Sequence, residues 1–65
     1  MKIHRYVTQF ADIRQDAMYC ELVHVASSLP EAIKDGRAHV RDLNRSLGFR
    51  PGVKRFYYVH TYRAR

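Results

Sequence analysis

The segment SSLPEA, residues 27–32, separates a β-rich part of the chain from a helix. Ser28 can cap a helix, and Glu31 stands three residues later, which is the spacing of a capping box. The proline between them falls in the first turn, where its missing backbone donor breaks no hydrogen bond. We therefore predict a helix over residues 29–47 that stops at Gly48, because glycine readily adopts the left-handed conformation that ends helices.

The segments on either side of this helix have the composition of β-strands. Residues 2–11 alternate between two sets of side chains, and residues 17–26 are rich in β-forming residues. The DIRQD segment at 12–16 has the length of a hairpin connection. The turn FRPGVK at 49–54 leads into a third strand over 54–63.

The resulting order ββαβ predicts an α+β fold that forms one domain over residues 1–65. A hairpin followed by a helical crossover most simply gives a three-stranded antiparallel sheet in the order 2-1-3, with the first strand in the centre. The helix packs on one face of this sheet. We expect the other face to be open, since no further element of the sequence is left to cover it.

Length and cysteine content favour a homodimer. A 65-residue chain buries only about 60% of its unfolded surface, and such domains usually need disulfides, a metal or oligomerisation. Cys20 is the only cysteine and no second His and Cys pair has metal-ligand spacing, so we expect neither a metal nor another cofactor. The free thiol, with no signal peptide or membrane span, indicates a cytoplasmic protein without a membrane partner.

The distribution of charge favours an anionic partner. The formal net charge is +6, and the last acidic residue is Asp42. Six cations follow it without one carboxylate: Arg45, Arg50, Lys54, Arg55, Arg63 and Arg65. Such asymmetry is typical of proteins that bind nucleic acid or an acidic protein surface.

A helical wheel separates two stripes on the predicted helix. The apolar side, predicted to pack on the sheet, comprises Ile33, Gly36, Val40, Leu43 and Leu47. The basic side lies almost opposite and comprises Lys34, Arg37, Arg41 and Arg45. Like charges at i, i+4 destabilise a helix by roughly 0.2–0.5 kcal/mol per pair. The basic stripe is therefore either a solvated surface or a ridge that binds phosphates or acidic side chains.

The last segment, KRFYYVHTYRAR at residues 54–65, mixes tyrosines with cations and contains no acid. Strand alternation divides it into a set with Phe56, Tyr58, His60 and Tyr62 and a set with Arg55, Tyr57, Val59, Thr61 and Arg63. Either orientation exposes at least one tyrosine on the open face. Exposed aromatic rings beside arginine stack bases, at about 1–3 kcal/mol per base, but the same residues are enriched in dimer interfaces and also pack in cores.

The candidate site for nucleic acid or another partner combines the basic stripe with this strand. Its residues are Lys34, Arg37, Arg41, Arg45, Arg55, Tyr57, Tyr58, Tyr62 and Arg63. No catalytic residue is assigned, because Cys20 and His24 would stand about 13 Å apart along a strand, too far for a thiolate–imidazole pair. The leading hypothesis is a small basic binding module, without catalysis, for nucleic acid or a nucleoprotein complex.

The ending YYVHTYRAR at residues 57–65 resembles the terminal strand of toxin ribonucleases of the RelE and YoeB type. A metal-independent ribonuclease needs a base, an acid and a cation, which His60, Tyr58 or Tyr62, and Arg63 would supply. The resemblance covers less than a fifth of the chain, and the initial helices of those toxins are missing. A ribonuclease is therefore an alternative to the binding module.

The layout, in which SSLPEAIKDG opens a single helix after a hairpin, resembles small phage and mobile-element accessory proteins of the anti-CRISPR type. This resemblance implies an inhibitor that binds a nucleoprotein effector and blocks its access to nucleic acid. Many such inhibitors are acidic, whereas this chain is basic. An inhibitor of this kind would have to contact an acidic protein face or the nucleic acid of the effector.

Overall fold

The computed structural model describes residues 2–14, 18–48 and 55–65. Its elements are β1 (His4–Asp12), β2 (Met18–Ala26), α1 (Leu29–Ser46) and β3 (Phe56–Arg63). Both β2 and β3 pair with β1 in antiparallel orientation, so the sheet order is β2-β1-β3. The predicted α+β fold, the order ββαβ and the central position of the first strand are confirmed.

The element boundaries lie within two residues of the predicted ones. At its carboxyl end β1 is one residue longer than predicted and includes Asp12. The predicted turn at 49–54, whose last residue is also the predicted start of the third strand, lies outside the described residues. The same holds for residues 15–16 of the predicted hairpin connection and for residue 17, the predicted start of the second strand. α1, the helix of the described part of the chain, is not apolar enough to span a membrane.

The two ends of α1 are capped by local hydrogen bonds. Ser28 is the N-cap residue, and its Oγ accepts a hydrogen bond from the Glu31 backbone N at 3.4 Å. The Glu31 carboxylate accepts from the backbone N of Ser27 at 2.9 Å and from the Ser27 hydroxyl, so the reciprocal half of the capping box falls one residue earlier than expected. Gly48 has a φ of 77° and donates to the Arg45 carbonyl, which confirms its predicted role as terminator.

The side of α1 that packs on the sheet differs from the predicted apolar stripe. The buried helix residues follow an i, i+4 row: Ala32, Gly36, Val40 and Asn44. Ile33 and Leu43 are only half-buried, and Leu47, just beyond the helix, is 50% exposed. The row of small side chains allows a closer approach of the helix to the sheet than a row of leucines would.

Gly36 is the point of close approach. Beneath it lies Thr8, which is fully buried and whose Oγ1 is 2.8 Å from Thr61 Oγ1 and 2.7 Å from His24 Nε2. A Cβ atom on Gly36 would collide with Thr8 Oγ1 and come within 3.0 Å of Thr61 Oγ1. The predicted position of Gly36 on the side of the helix that packs on the sheet is confirmed.

Asn44 joins the last turns of α1 to the start of β3. Its side-chain oxygen accepts hydrogen bonds from the backbone N of Arg55 at 3.1 Å and of Phe56 at 2.9 Å. Its side-chain nitrogen donates to the Phe56 carbonyl at 3.0 Å. A buried amide with three backbone partners fixes where β3 begins relative to the helix.

Replacing Gly36 with alanine should destabilise the fold, even though alanine gains about 1 kcal/mol in helix propensity. The new Cβ forces the helix or Thr8 to move, and overpacking of this kind costs typically 1–3 kcal/mol. Chemical denaturation should therefore give a lower midpoint for Gly36→Ala. The control is Asp35→Ala, an exposed change on the same helix, which should leave the midpoint almost unchanged.

The Thr8→Ala background tests the cause, because it removes the hydroxyl with which the new Cβ collides. In that background the same glycine substitution should be close to neutral, which a double-mutant cycle measures directly. An equal loss of stability in both backgrounds would show that the collision with Thr8 is not the reason for the glycine.

Candidate functional site

The sheet has one face toward α1 and one face that no described element covers. Thr8 lies under the helix, and its partners across the sheet, Leu22 and Thr61, point the same way. The residues at alternate positions point to the opposite side, which we call the open face. The open face comprises Arg5, Val7, Gln9, Ala11, Tyr19, Glu21, Val23, Val25, Tyr57, His60 and Tyr62.

A bulge in β3 decides which tyrosines lie on the open face. Gln9 pairs with His60, but the next residue, Phe10, pairs with Tyr58, so Val59 is an extra residue in the strand. Strict alternation therefore fails at this point. The predicted common face for Tyr58 and His60 is wrong.

The bulge separates the tyrosines of the last strand. Tyr58 and Thr61 both point toward α1, and the Tyr58 hydroxyl donates to Thr61 Oγ1 at 2.9 Å. Tyr57 and Tyr62 lie on the open face, where they are 45% and 41% exposed. The predicted orientation with Phe56 and Tyr58 toward the helix is therefore correct for the first part of β3. The alternative, with Thr61 and Arg63 toward the helix, is correct for the last part.

The nine residues of the predicted site do not form one surface. Four lie along α1 and stay exposed: Lys34, Arg37, Arg41 and Arg45. Tyr57 and Tyr62 lie on the opposite side of the sheet. Arg55, Tyr58 and Arg63 point toward the helix side and have partners within the fold.

We call Lys34, Arg37, Arg41 and Arg45 the basic ridge. Arg41 Nε lies 3.5 Å from Asp42, but both side chains are more than 60% exposed, and such a pair contributes little. The guanidinium of Arg37 lies over the Tyr58 ring, 5.2 Å from its centroid. This cation–π contact anchors the ridge to β3.

The ridge borders a shallow, open hollow of about 520 Å³ on the helix surface. Its floor is apolar, with Pro30, Ile33 and Ala38, and its rim carries three of the four ridge cations. From Lys34 to Arg45 the ridge runs about 16 Å along the helix axis, at 1.5 Å per residue. This geometry can hold an extended anionic ligand but does not enclose a small molecule.

Arg55 is held by the fold and does not belong to the ridge. Its Nε and Nη2 atoms each donate to the Asp12 carboxylate at 3.0 Å, and Asp12 is 4% exposed. The Arg14 backbone N donates to the same carboxylate at 3.1 Å. The hydrogen bonds from Arg55, followed by that from Arg14, lower the pKa of Asp12 below its ordinary range, and Asp12 in turn raises the pKa of Arg55.

The residues of the ribonuclease alternative do not converge. His60 and Tyr62 touch edge to face on the open face, with ring centroids 5.4 Å apart. Arg63 lies on the helix side, where its Nη2 is 2.9 Å from His4 Nδ1. Tyr58 also lies on the helix side. The proposed base, acid and cation therefore do not lie together on one side of the sheet.

Sequence reasoning overlooked the contribution of β2 to the open face. Tyr19, Val23 and Val25 are 65%, 60% and 59% exposed there. Their alternation along β2 was the available signal. Across the sheet, the Tyr62 hydroxyl donates to Glu21 at 2.9 Å, and this hydrogen bond raises the pKa of Tyr62.

Cys20 and His24 lie on the helix side of β2. Cys20 is half-buried opposite Phe10, and the His24 ring bonds to Thr8. Within the described residues, no three side chains of His, Cys, Asp or Glu come together as metal ligands would. Both residues take part in the packing beneath α1.

Comparison with known proteins assigns no family to this chain. No protein-family model, no curated protein and no solved structure matches it significantly. Function is therefore inferred from the chemistry of the two surfaces, the basic ridge and the open face.

Stability should depend on the charge of Asp12 at low pH. Because the pKa of Asp12 is lowered in the folded state, its carboxylate stabilises the fold at any pH above its unfolded pKa of about 3.9. This stabilisation is lost as the pH falls through the lower, folded pKa. The melting temperature should therefore drop on acidification. Asp12→Asn should lower the melting temperature at neutral pH and make it fall less steeply as the pH is lowered further, and we call this acidic part of the curve the acid limb.

Thermal melts between about pH 7 and pH 2 measure this dependence. Asp35→Asn, which removes an exposed carboxylate on α1, is the control and should keep the acid limb of the wild type. Parallel acid limbs for the wild type and Asp12→Asn would contradict the role given to the ion pair with Arg55.

Proposed function

We propose that this chain is a small non-catalytic binding module whose basic ridge contacts the phosphate backbone of nucleic acid, either free or within a nucleoprotein complex. The observation that carries this proposal is the line of four exposed cations along α1. Duplex DNA carries one negative charge per about 1.7 Å of its axis with both strands counted, so a stretch of duplex as long as the ridge, about 16 Å, carries roughly ten phosphate charges.

The arrangement favours contacts to the backbone over contacts to bases. Tyr58, on the side of the ridge, is half-buried and lies under the guanidinium of Arg37. The more exposed Tyr57 and Tyr62 point to the other side of the molecule. Base stacking requires open rings beside the cations that track the backbone. We therefore expect binding with little sequence preference.

The spacing of the cations in the basic ridge favours the binding of anions. Arg37 and Arg41, and Arg41 and Arg45, are like-charged i, i+4 neighbours that destabilise the free helix by roughly 0.2–0.5 kcal/mol per pair. Asp42 offsets this repulsion only weakly, because it is solvent-exposed. A bound polyanion removes the repulsion and gains the attraction of all four cations.

A target within a nucleoprotein complex would engage the same ridge. The layout resembles accessory proteins of the anti-CRISPR type, and an inhibitor of that kind would direct the cations toward the nucleic acid or an acidic protein face of its effector. The half-buried free thiol of Cys20 suits a reducing compartment, which supports the proposal of a cytoplasmic protein.

The test is fluorescence anisotropy with labelled duplex and single-stranded DNA and RNA at several salt concentrations. The logarithm of the affinity should fall with the logarithm of salt at a slope of about −3 to −4 for four phosphate contacts on a duplex. Arg41→Gln/Arg45→Gln should reduce the magnitude of this slope by about 2 and weaken binding at low salt.

The matched control is Arg5→Gln/Arg65→Gln, which removes the same charge from the open face and the carboxyl-terminal end. This variant should retain the slope of the wild type. Equal losses in the two variants would show that net charge, and not the ridge, drives binding. A complete lack of binding at about 50 mM salt would overturn the nucleic-acid proposal and favour an acidic protein partner.

A further inference from the structure

The open face exposes much of the apolar surface of the described residues. Five of the ten exposed large apolar side chains lie on it: Tyr19, Val23, Val25, Tyr57 and Tyr62. An antiparallel sheet with a solvated face normally places polar side chains there. A concentration of exposed apolar side chains on one face marks an interaction site.

The face is arranged in rows that run across the three strands. One row contains Tyr19, Ala11 and Tyr57, and a second contains Val23, Val7 and Tyr62; both are apolar or aromatic. Between them runs a polar row with Glu21 at one edge, Gln9 in the centre and His60 at the other edge. The polar row is asymmetric, with an acid on β2 and an imidazole on β3.

We infer that the open face binds a second copy of this chain, face to face, about a twofold axis that runs along β1. Such an axis places β2 of one copy over β3 of the other and keeps each row over itself. Glu21, whose carboxylate already accepts a hydrogen bond from Tyr62 of its own chain, then faces His60 of the other copy. The same pair forms a second time by symmetry. Tyr19 and Val23 face Tyr57 and Tyr62, which completes an aligned two-sheet sandwich.

The charge distribution favours this occupant over a nucleic acid. The ridge cations lie on α1, on the far side of the sheet. The charged residues that the described strands place on the open face are Arg5 and Glu21, which are of opposite sign. The two faces together carry two cations and two carboxylates, so two chains of net charge +6 can stack through them while their basic ridges point outward. The axis places the two Arg5 side chains opposite each other, but at one end of the face, where they are exposed to solvent.

The size of the face also fits a dimer. The molecule measures 37 × 21 × 14 Å, so no side of it is larger than 37 × 21 Å. Such a side offers at most roughly 800 Å², close to the area that each partner contributes to a standard stable interface. Nearly the whole sheet must be used, which agrees with the presence of an apolar row on each side of the polar row.

Sedimentation equilibrium of the purified chain, under reducing conditions that exclude a Cys20 disulfide, tests the inference. The wild type at about 100 μM should have twice the monomer mass of 7.7 kDa. Val23→Lys should be a folded monomer by circular dichroism. The control Leu47→Lys makes a similar change at an exposed residue beyond the end of α1 and should remain dimeric.

Charge exchange tests the orientation. Glu21→Lys faces a His60 ring with a cation, and His60→Glu faces Glu21 with another carboxylate, so each variant alone should dimerise at least tenfold more weakly. Mixing them places the introduced lysine opposite the introduced glutamate and leaves Glu21 opposite His60 at the second pair. A heterodimer should therefore form with an affinity near that of the wild type. A monomeric wild type or a dimeric Val23→Lys variant would overturn the proposed interface. Failure of the mixture to associate would show that the twofold axis does not run along β1 and pair Glu21 with His60.

Discussion

The contact between Gly36 and Thr8 sets the distance between the helix and the sheet, and other features depend on it. Because Gly36 has no Cβ, α1 can lie close enough to cover the hydroxyl of Thr8, which joins Thr61 and His24. Thr61 accepts a hydrogen bond from Tyr58, and the Tyr58 ring lies under Arg37. The chain of contacts therefore runs from the buried glycine to the cations of the basic ridge.

The bulge at Val59 gives the two sides of the sheet different chemistry. It directs Tyr58 and Thr61 under the helix, while His60 and Tyr62 remain on the open face. The helix side thus receives the polar network that supports the ridge, and the open face receives aromatic side chains. In a dimer built through the open faces, the two ridges would lie on opposite outer surfaces and could bind two segments of nucleic acid.

The parts of the fold that depend on local interactions could be predicted from the sequence. Ser28 and Gly48 bound the helix through bonds within a few residues, and the ββαβ order follows from the placement of that helix. The bulge depends on pairing between strands far apart in the chain, so alternation alone could not reveal it. The same holds for Asp12 with Arg55, two residues 43 positions apart, whose pairing removes Arg55 from the candidate site.

A two-dimensional NMR titration with a short DNA duplex tests most directly whether the basic ridge and the open face have separate roles. We expect the backbone amide signals of residues 34–45 on α1 to shift, while those of residues 19–25 on β2 stay at their positions. Shifts concentrated on β2 and the open-face residues of β3, with α1 unchanged, would contradict the account and make the open face the binding surface for nucleic acid.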